Sequence, residues 1–297
     1  MTETKVTDGT APVRDTSTAP GTVELPRADC TVDRHGRMEV RLGLRSAEAP
    51  RLLLRLRPPK GKPESVTRLF DLEPAGPPGE EDDATGGRWR AVLDPAPPLA
   101  EGRWDLFVLP EPDGERTPLL AGVRDLRALV AGRDPGTTPL PLAVRVPFAT
   151  PDGTLAVRTW LRTAHAEADR IEVGADSTTV RARLFGAEPG AGAAALLRLR
   201  GQAGEVRESE LHADGPDGVR FTFAHAQLTD TPEGGPGVWD VLVRPRTGAR
   251  PIRVGRLLDD VADRKKVFVY PAVTLGGMKA LTYYTLDNEL SVEVTAG

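Results

Sequence analysis

The stretch GRWDLFV at Gly102–Val108 decides the fold, because a similar stretch occurs a second time in the chain. It returns 135 positions later as GVWDVLV at Gly237–Val243. In the first copy Trp104, Leu106 and Val108 alternate with Asp105 and Phe107. Alternation with a period of two is typical of an antiparallel strand with one buried and one wetter face. Trp104 and Trp239 are therefore both predicted to lie in hydrophobic cores.

Other segments repeat in the same order around this stretch. The sequence LLRLR stands at positions 53–57 and again at 196–200, and the pairs at 28–29 and 40–41 recur at 168–169 and 180–181. The offsets drift because loops differ in length, and the acidic insert at 79–83 accounts for much of the drift. An ordered series of matches indicates an internal duplication.

The duplication divides the chain into three predicted parts. Residues 1–21 contain little that could be buried and are predicted to be a disordered tail. Residues 22–165 and 166–297 are then two copies of one domain, with the boundary near the small, polar run Thr163–Ala168.

Short strands and frequent turns predict the fold class. The 28 prolines disfavour long helices, and Pro-Asp-Gly recurs between strands at 112–114, 151–153 and 216–218. We predict an all-β protein of two tandem antiparallel immunoglobulin-like β-sandwiches. The apolar spacing of Val123–Val130 and Val254–Val261 fits either a helix of one to two turns or a strand followed by a turn.

Composition excludes several classes of function. The net charge is −4 with both signs interspersed, so no basic surface for nucleic acid is expected. No apolar run approaches the ~20 residues that a membrane span needs, and no secretory signal is visible at the N-terminus. Cys30 is the single cysteine, which excludes a disulfide framework. We expect a cytoplasmic protein without membrane insertion.

The sequence contains no recognisable catalytic motif. It has no nucleophile elbow, dinucleotide fingerprint or phosphate loop, so no cofactor is expected. Cys30 is interpreted as structural. The four histidines lack the spacing of a local zinc site, although a site assembled across strands stays open. They are His35, His165, His212 and His225.

Two groups of side chains are candidates for a functional site. Asp259, Asp260 and Asp263 could hold a hard cation, but an Asp pair that caps a helix N-terminus is the favoured interpretation. The aromatic candidates for a ligand or an interface are Trp160, Tyr270, Tyr283 and Tyr284.

These aromatic residues leave three interpretations open. They could stack on a sugar, anchor a protein interface or pack in a core. Tyr283 and Tyr284 are adjacent, so on a strand they face opposite ways and one should point outward. Trp160 stands near the position in the first copy that is equivalent to this Tyr pair.

The C-terminal region resembles a known family. The residues that carry the likeness are Val238-Trp239-Asp240, then KKVFVYP at 265–271, then TYYTLDNELSV at 282–292. They resemble the C-terminal region of family-2 glycosyltransferases that decorate teichoic acids and related wall glycopolymers. In that family the region is a pair of immunoglobulin-like sandwiches that drive trimerisation behind the catalytic domain.

The resemblance implies fold and assembly rather than glycosyl transfer. The catalytic half of that family has no counterpart here, and the first copy reads differently at 145–147 and 159–161. We therefore expect a non-catalytic accessory or oligomerisation module that self-associates, with a trimer as one form, or binds a protein such as a wall-glycopolymer glycosyltransferase. The alternatives are a carbohydrate-binding module that takes a glycan, and an enzyme with a site between the two sandwiches.

Overall fold

A computed structural model describes residues 25–44, 47–64, 66–75, 87–112, 114–201, 205–229 and 235–297. The predicted tail and the acidic residues Glu80–Asp83 lie outside these ranges. The strands of the first half are β1 (Arg27–Val32), β2 (Met38–Leu44), β3 (Arg51–Leu56), β4 (Thr67–Asp71), β5 (Glu73–Pro74), β6 (Gly87–Leu93), β7 (Gly102–Leu109), β8 (Thr117–Pro118), β9 (Leu120–Asp125), β10 (Leu142–Ala149) and β11 (Leu155–Arg162).

The second half continues the series with ten more strands. They are β12 (His165–Val173), β13 (Ser177–Phe185), β14 (Ala194–Leu199), β15 (Val206–Ala213), β16 (Gly218–Ala224), β17 (Gly237–Arg244), β18 (Ile252–Gly255), β19 (Val273–Leu275), β20 (Met278–Tyr284) and β21 (Leu290–Ala296). Helices are short: α1 (Arg127–Val130), α2 (Ala226–Thr229) and the 3-10 turn η1 (Arg264–Lys266). Within the described ranges no helix has the length and apolar character to cross a membrane. The all-β prediction is confirmed.

The strands form three sheets. The first half contains a sheet in the order β5-β6-β2-β1-β9 and another in the order β10-β11-β7-β3-β4, with β8 beside β7. The second half is one sheet in the order β14-β15-β16-β13-β12-β18-β17-β21-β20-β19. An additional pairing of β14 with β17 closes seven of its strands into a barrel.

The registers show that the two halves share one topology. Trp104 stands opposite Leu56, and Trp239 stands opposite Leu199. The first strand of each half is irregular after an alanine, but in different pairings: β1 shifts register against its parallel neighbour β9 after Ala28, and β12 against its antiparallel neighbour β13 after Ala168. Each of these strands also has a parallel neighbour, β9 or β18, so the sheets are not wholly antiparallel.

Two single residues separate the sheets of the first half. β15 runs unbroken and pairs with β14 through its first part and with β16 through its last. The corresponding strand of the first half is interrupted at Leu72, which divides it into β4 and β5. Leu119 separates β8 from β9 in the same way, whereas β18 pairs with both β17 and β12. Because of these breaks the first half reads as two sheets and the second as a barrel.

Alternation along the strands places the cores. In β2 the side chains of Met38, Val40, Leu42 and Leu44 are buried while the residues between them are not. Trp104 and Trp239 are fully buried in separate hydrophobic clusters, as predicted. The cluster of the first half also contains Phe185, Leu257 and Leu258 from the second half, so the halves pack against each other.

One detail of the predicted repeat is wrong. In the shared strand order β10 corresponds to β20, and a long loop precedes the extra strand β19. Val157 and Val292 stand opposite Trp104 and Trp239, which makes Trp160 equivalent to Thr295 rather than to the Tyr pair. Of the two segments with helical spacing, one forms α1, and the other forms bends before η1.

Candidate functional site

The candidate residues converge at one end of the second half. Two segments meet there: the loop Arg256–Ala272 between β18 and β19, and the hairpin turn Thr285–Glu289 between β20 and β21. Trp160 reaches the same place from β11 of the first half. The carboxylate and the aromatic candidates therefore lie in one region, which the sequence did not predict.

A buried arginine organises the loop. Arg264 is fully buried, and its guanidinium lies 4.3 Å from the ring centroid of Phe268 and 5.2 Å from that of Tyr284. It also forms an ion pair with Asp259. The ring of Tyr270 packs 6.2 Å from that of Tyr284. Cation–π contacts are strongest where the cation is shielded from water, so this cluster seats the loop firmly.

Asn288 joins the loop to the hairpin turn. Its backbone has φ +57°, a left-handed conformation that Asn tolerates better than most residues. Its Oδ1 accepts the N–H of Arg264 at 3.0 Å, and its Nδ2 donates to the carbonyl of Val261 at 2.7 Å. It is the only asparagine in the chain, and this is the one sequence signal that marks its position.

Trp160 connects the halves and offers no stacking surface. The side chain is 1% exposed, and its indole N–H donates to the carbonyl of Asp287 at 3.1 Å. Arg158 lies over the Trp160 ring at 5.1 Å and donates to the Asp287 carboxylate at 2.5 Å. Burial lowers the pKa of the Arg158 guanidinium, although Asp287 opposes this effect.

The two adjacent tyrosines lie on opposite faces of β20. Tyr284 is buried, and desolvation raises the pKa of its phenol. Tyr283 is half-buried and lines an open cleft with Arg200, Arg253 and Lys265. The Lys265 ammonium lies 5.6 Å from the Tyr283 ring centroid. Tyr283 is thus the member of the pair that solvent can reach.

Asp240 lies at the base of this cleft. Burial would raise the pKa of its carboxyl, but hydrogen bonds from Arg200 and Arg253 outweigh burial and lower it. The first half contains part of this arrangement, because Asp105 forms ion pairs with Arg55 and Arg57 as Asp240 does with the equivalent Arg198 and Arg200. Each carboxylate binds arginines of the neighbouring strand and so clamps β7 to β3 or β17 to β14. The repetition assigns the clamp a structural role.

The three aspartates do not gather around one point. Asp259 bonds to Arg256 and Arg264 and accepts the N–H of Val261 at 3.1 Å. Asp260 is exposed, and Asp263 lies 3.6 Å from Arg103 of the first half. No group of three or more His, Cys, Asp or Glu side chains that could hold a metal ion occurs in the part of the chain described. The helix that the Asp pair was expected to cap does not form there.

A buried acid–base pair lies at the junction of the halves. His165 and Glu167 are both 3% exposed, with Nε2 and Oε2 2.7 Å apart. The Glu167 carboxylate also accepts the N–H groups of Leu257 and Leu258 at 2.8 and 3.0 Å. The sequence predicts only a polar domain boundary at this position. The contacts show a carboxylate that fastens the loop rather than one open to a substrate.

Cys30 is buried in the first core. Desolvation raises the pKa of its thiol to about 12, so the sulfur is neutral near pH 7. A thiolate is the reactive form of cysteine, and this environment disfavours it.

The loop exposes three consecutive apolar side chains. The exposed fractions are 63% for Val267, 36% for Phe268 and 83% for Val269. Leu286 of the hairpin turn is also exposed and lines the cleft beside Lys265. Single exposed apolar residues are normal, whereas adjacent ones mark candidate contact surfaces. We call Val267–Val269 the apolar segment.

Comparisons with known proteins do not assign the chain to a family. No protein-family model matches the chain, and no curated protein matches it. Two crystal structures of S. aureus TarS show a low likeness. One, of residues 217–571, is 17% identical with a TM-score of 0.35 and covers 44% of this chain and 38% of that chain. The other is 15% identical with a TM-score of 0.36, over 52% of this chain and 28% of that one.

Proposed function

We propose that this chain is a non-catalytic assembly module that binds further copies of itself through the apolar segment. The observation that carries the proposal is the exposure of Val267, Phe268 and Val269 in a row. Removing such surface from water favours association. The cleft that Lys265 of the same loop lines also contains Tyr283 and two arginines, residue types enriched at interfaces.

Packing contacts fix the conformation of the apolar segment. Phe268 packs on Arg264 and lies 6.4 Å from the ring of Tyr284. Arg264 is in turn fixed by Asp259 and Asn288. Because the segment is already ordered, binding would cost less conformational entropy.

The family resemblance supports the finer features of the proposal. It implies immunoglobulin-like sandwiches, a trimeric assembly and work beside a glycosyltransferase of wall-glycopolymer synthesis in the cytoplasm. A glycan-binding role has less support, because Trp160 and Tyr284 are buried and only Tyr270 and Tyr283 stay accessible. An enzymatic role would rest on His165 and Glu167, whose carboxylate is taken by backbone N–H groups.

The test is the molar mass of the full chain by light scattering after size exclusion. We expect an oligomer that Val269→Asp shifts toward monomer, with the association constant reduced about tenfold or more because a charge would be buried without a partner. Val130→Asp, at an exposed valine of α1 in the first half, is the matched control and should leave the mass unchanged. A wild-type chain that stays monomeric at high concentration contradicts the proposal.

A further inference from the structure

Three tryptophans are fully buried, and each donates its indole N–H to a backbone carbonyl. Trp104 bonds to Ala100 at 3.0 Å and Trp239 to Leu228 at 3.2 Å, each within its own half. Trp160 bonds instead to Asp287 across the junction of the halves. We infer that Trp160 and Arg158 are positioning residues through which the first half holds the apolar segment of the second half in place. This inference rests on the function proposed above.

A short series of contacts leads from Trp160 to the surface. Trp160 and Arg158 bind Asp287, and the next residue, Asn288, accepts the N–H of Arg264. Arg264 then packs against Phe268, the central residue of the apolar segment. The residues that relay these contacts are buried, so a displacement at Asp287 is passed along packed side chains; they are Trp160, Arg158, Asn288 and Arg264.

Further contacts tie the same region to the first half. Leu257 and Leu258 belong to the first core, and Asp263 lies near Arg103. Arg162 bridges Glu101 of the first half and Glu289 of the hairpin turn at 3.0 and 3.2 Å. The part of the loop that precedes Arg264 and the hairpin turn that binds Arg264 are therefore both anchored on the first half. The position of the apolar segment on the second half therefore depends on contacts with the first half.

The experiment uses the full chain and measures amide hydrogen exchange across residues 264–270. Trp160→Phe keeps a buried ring and removes the bond to Asp287. Trp104→Phe and Trp239→Phe are matched controls, because each removes an indole bond that stays within one half. We expect exchange at 264–270 to become about two- to tenfold faster in Trp160→Phe than in either control, the range that one lost hydrogen bond gives.

A second variant covers the case in which Trp160→Phe folds poorly. Asp287→Asn removes the ion pair at an exposed carboxylate and should likewise speed exchange at 264–270. Equal exchange at 264–270 in all three tryptophan variants, with no effect of Asp287→Asn, would overturn the positioning role. Association measured on the same samples separates the two proposals: if Val269→Asp leaves the oligomer intact, the assembly function fails whatever the exchange shows.

Discussion

Asp240 shows how one side chain gains its role from the strand beside it. Its position after Trp239 turns it away from the core, toward Arg200, which follows β14, and Arg253 of β18. Its carboxylate also accepts the hydroxyl of buried Ser291 at 3.2 Å. The same residue type at Asp105 performs the same task in the first half, which is why the Trp-Asp pair recurs.

We expect Asp240→Asn to lower the free energy of unfolding at pH 7 by about 2 kcal/mol, since hydrogen bonds to a charged group are lost. The pKa of Asp240 is lowered in the folded state, so the unfolded chain takes up the proton first as pH falls. The stabilisation is present above about pH 3.9 and is lost as the pH falls through the lower folded value.

Urea unfolding between pH 2 and pH 7 tests this prediction. The acid-induced loss of stability should be smaller in Asp240→Asn than in wild type. Glu188→Gln removes the same charge at an exposed site and controls for net charge. Parallel pH profiles of wild type and Asp240→Asn would show that Asp240 does not carry the effect.

Residue roles were predictable where the reason is local. Trp104 and Trp239 were expected in cores because they stand in alternating strands. For Trp160 a core position was only one of three open interpretations, because its partner Asp287 lies 127 residues away. Arg264 and Asn288 carry no periodic pattern at all, and their importance comes from burial between a loop and a turn. Sequence periodicity reports which face is buried but not which distant residue covers it.

At the level of secondary-structure elements, the opposing leucines explain why both copies of the repeated stretch begin with glycine. A Cβ atom at Gly102 would lie 2.5 Å from Cδ1 of Leu56, and one at Gly237 would lie 2.7 Å from Cδ1 of Leu199. These leucines are the ones opposite Trp104 and Trp239 on the paired strand. Within four positions the stretch therefore contains a glycine that leaves space for the opposing leucine, a buried tryptophan, and an aspartate that binds arginines.

We expect Gly102→Ala and Gly237→Ala each to destabilise the protein by about 1–3 kcal/mol, because the opposing leucine must move. Gly102 also has φ +153°, which adds strain for any other residue. Thermal or chemical unfolding measures both. Gly61→Ala, at a glycine with positive φ and open space around it, separates backbone strain from the clash. Stability of Gly237→Ala equal to wild type would contradict the packing argument.

Strands were easier to predict than the corners between them. The alternation in β2 and β13 is visible in the sequence, because hydrophobic side chains face a common core. The breaks at Leu72 and Leu119 are not, because both are buried leucines between less buried neighbours, the pattern that an unbroken strand also shows. What separates two sheets from a barrel is backbone pairing at these points, and side-chain type does not encode it.

On the scale of the whole molecule, the two halves share a loop. Leu257 and Leu258 follow β18 of the second half, yet their side chains complete the core of the first. The Glu167 carboxylate accepts hydrogen bonds from the backbone N–H groups of both leucines. Only two residues separate β11 from β12, so the halves have little freedom to part. The duplicated sequence suggests independent units, but the packing couples them.

We expect Leu258→Ala to lower the free energy of unfolding by about 2–4 kcal/mol, the cost of truncating a buried leucine. Because Leu258 belongs to the first core, hydrogen exchange should rise in β7 at least as much as in β17. Leu228→Ala is the matched control, since Leu228 is fully buried in the second core alone. The Leu228→Ala substitution should speed hydrogen exchange most in β17, which lies in the same core as Leu228. If Leu258→Ala speeds exchange in β17 but leaves β7 protected, the loop does not support the first half, and the halves behave as separate folding units.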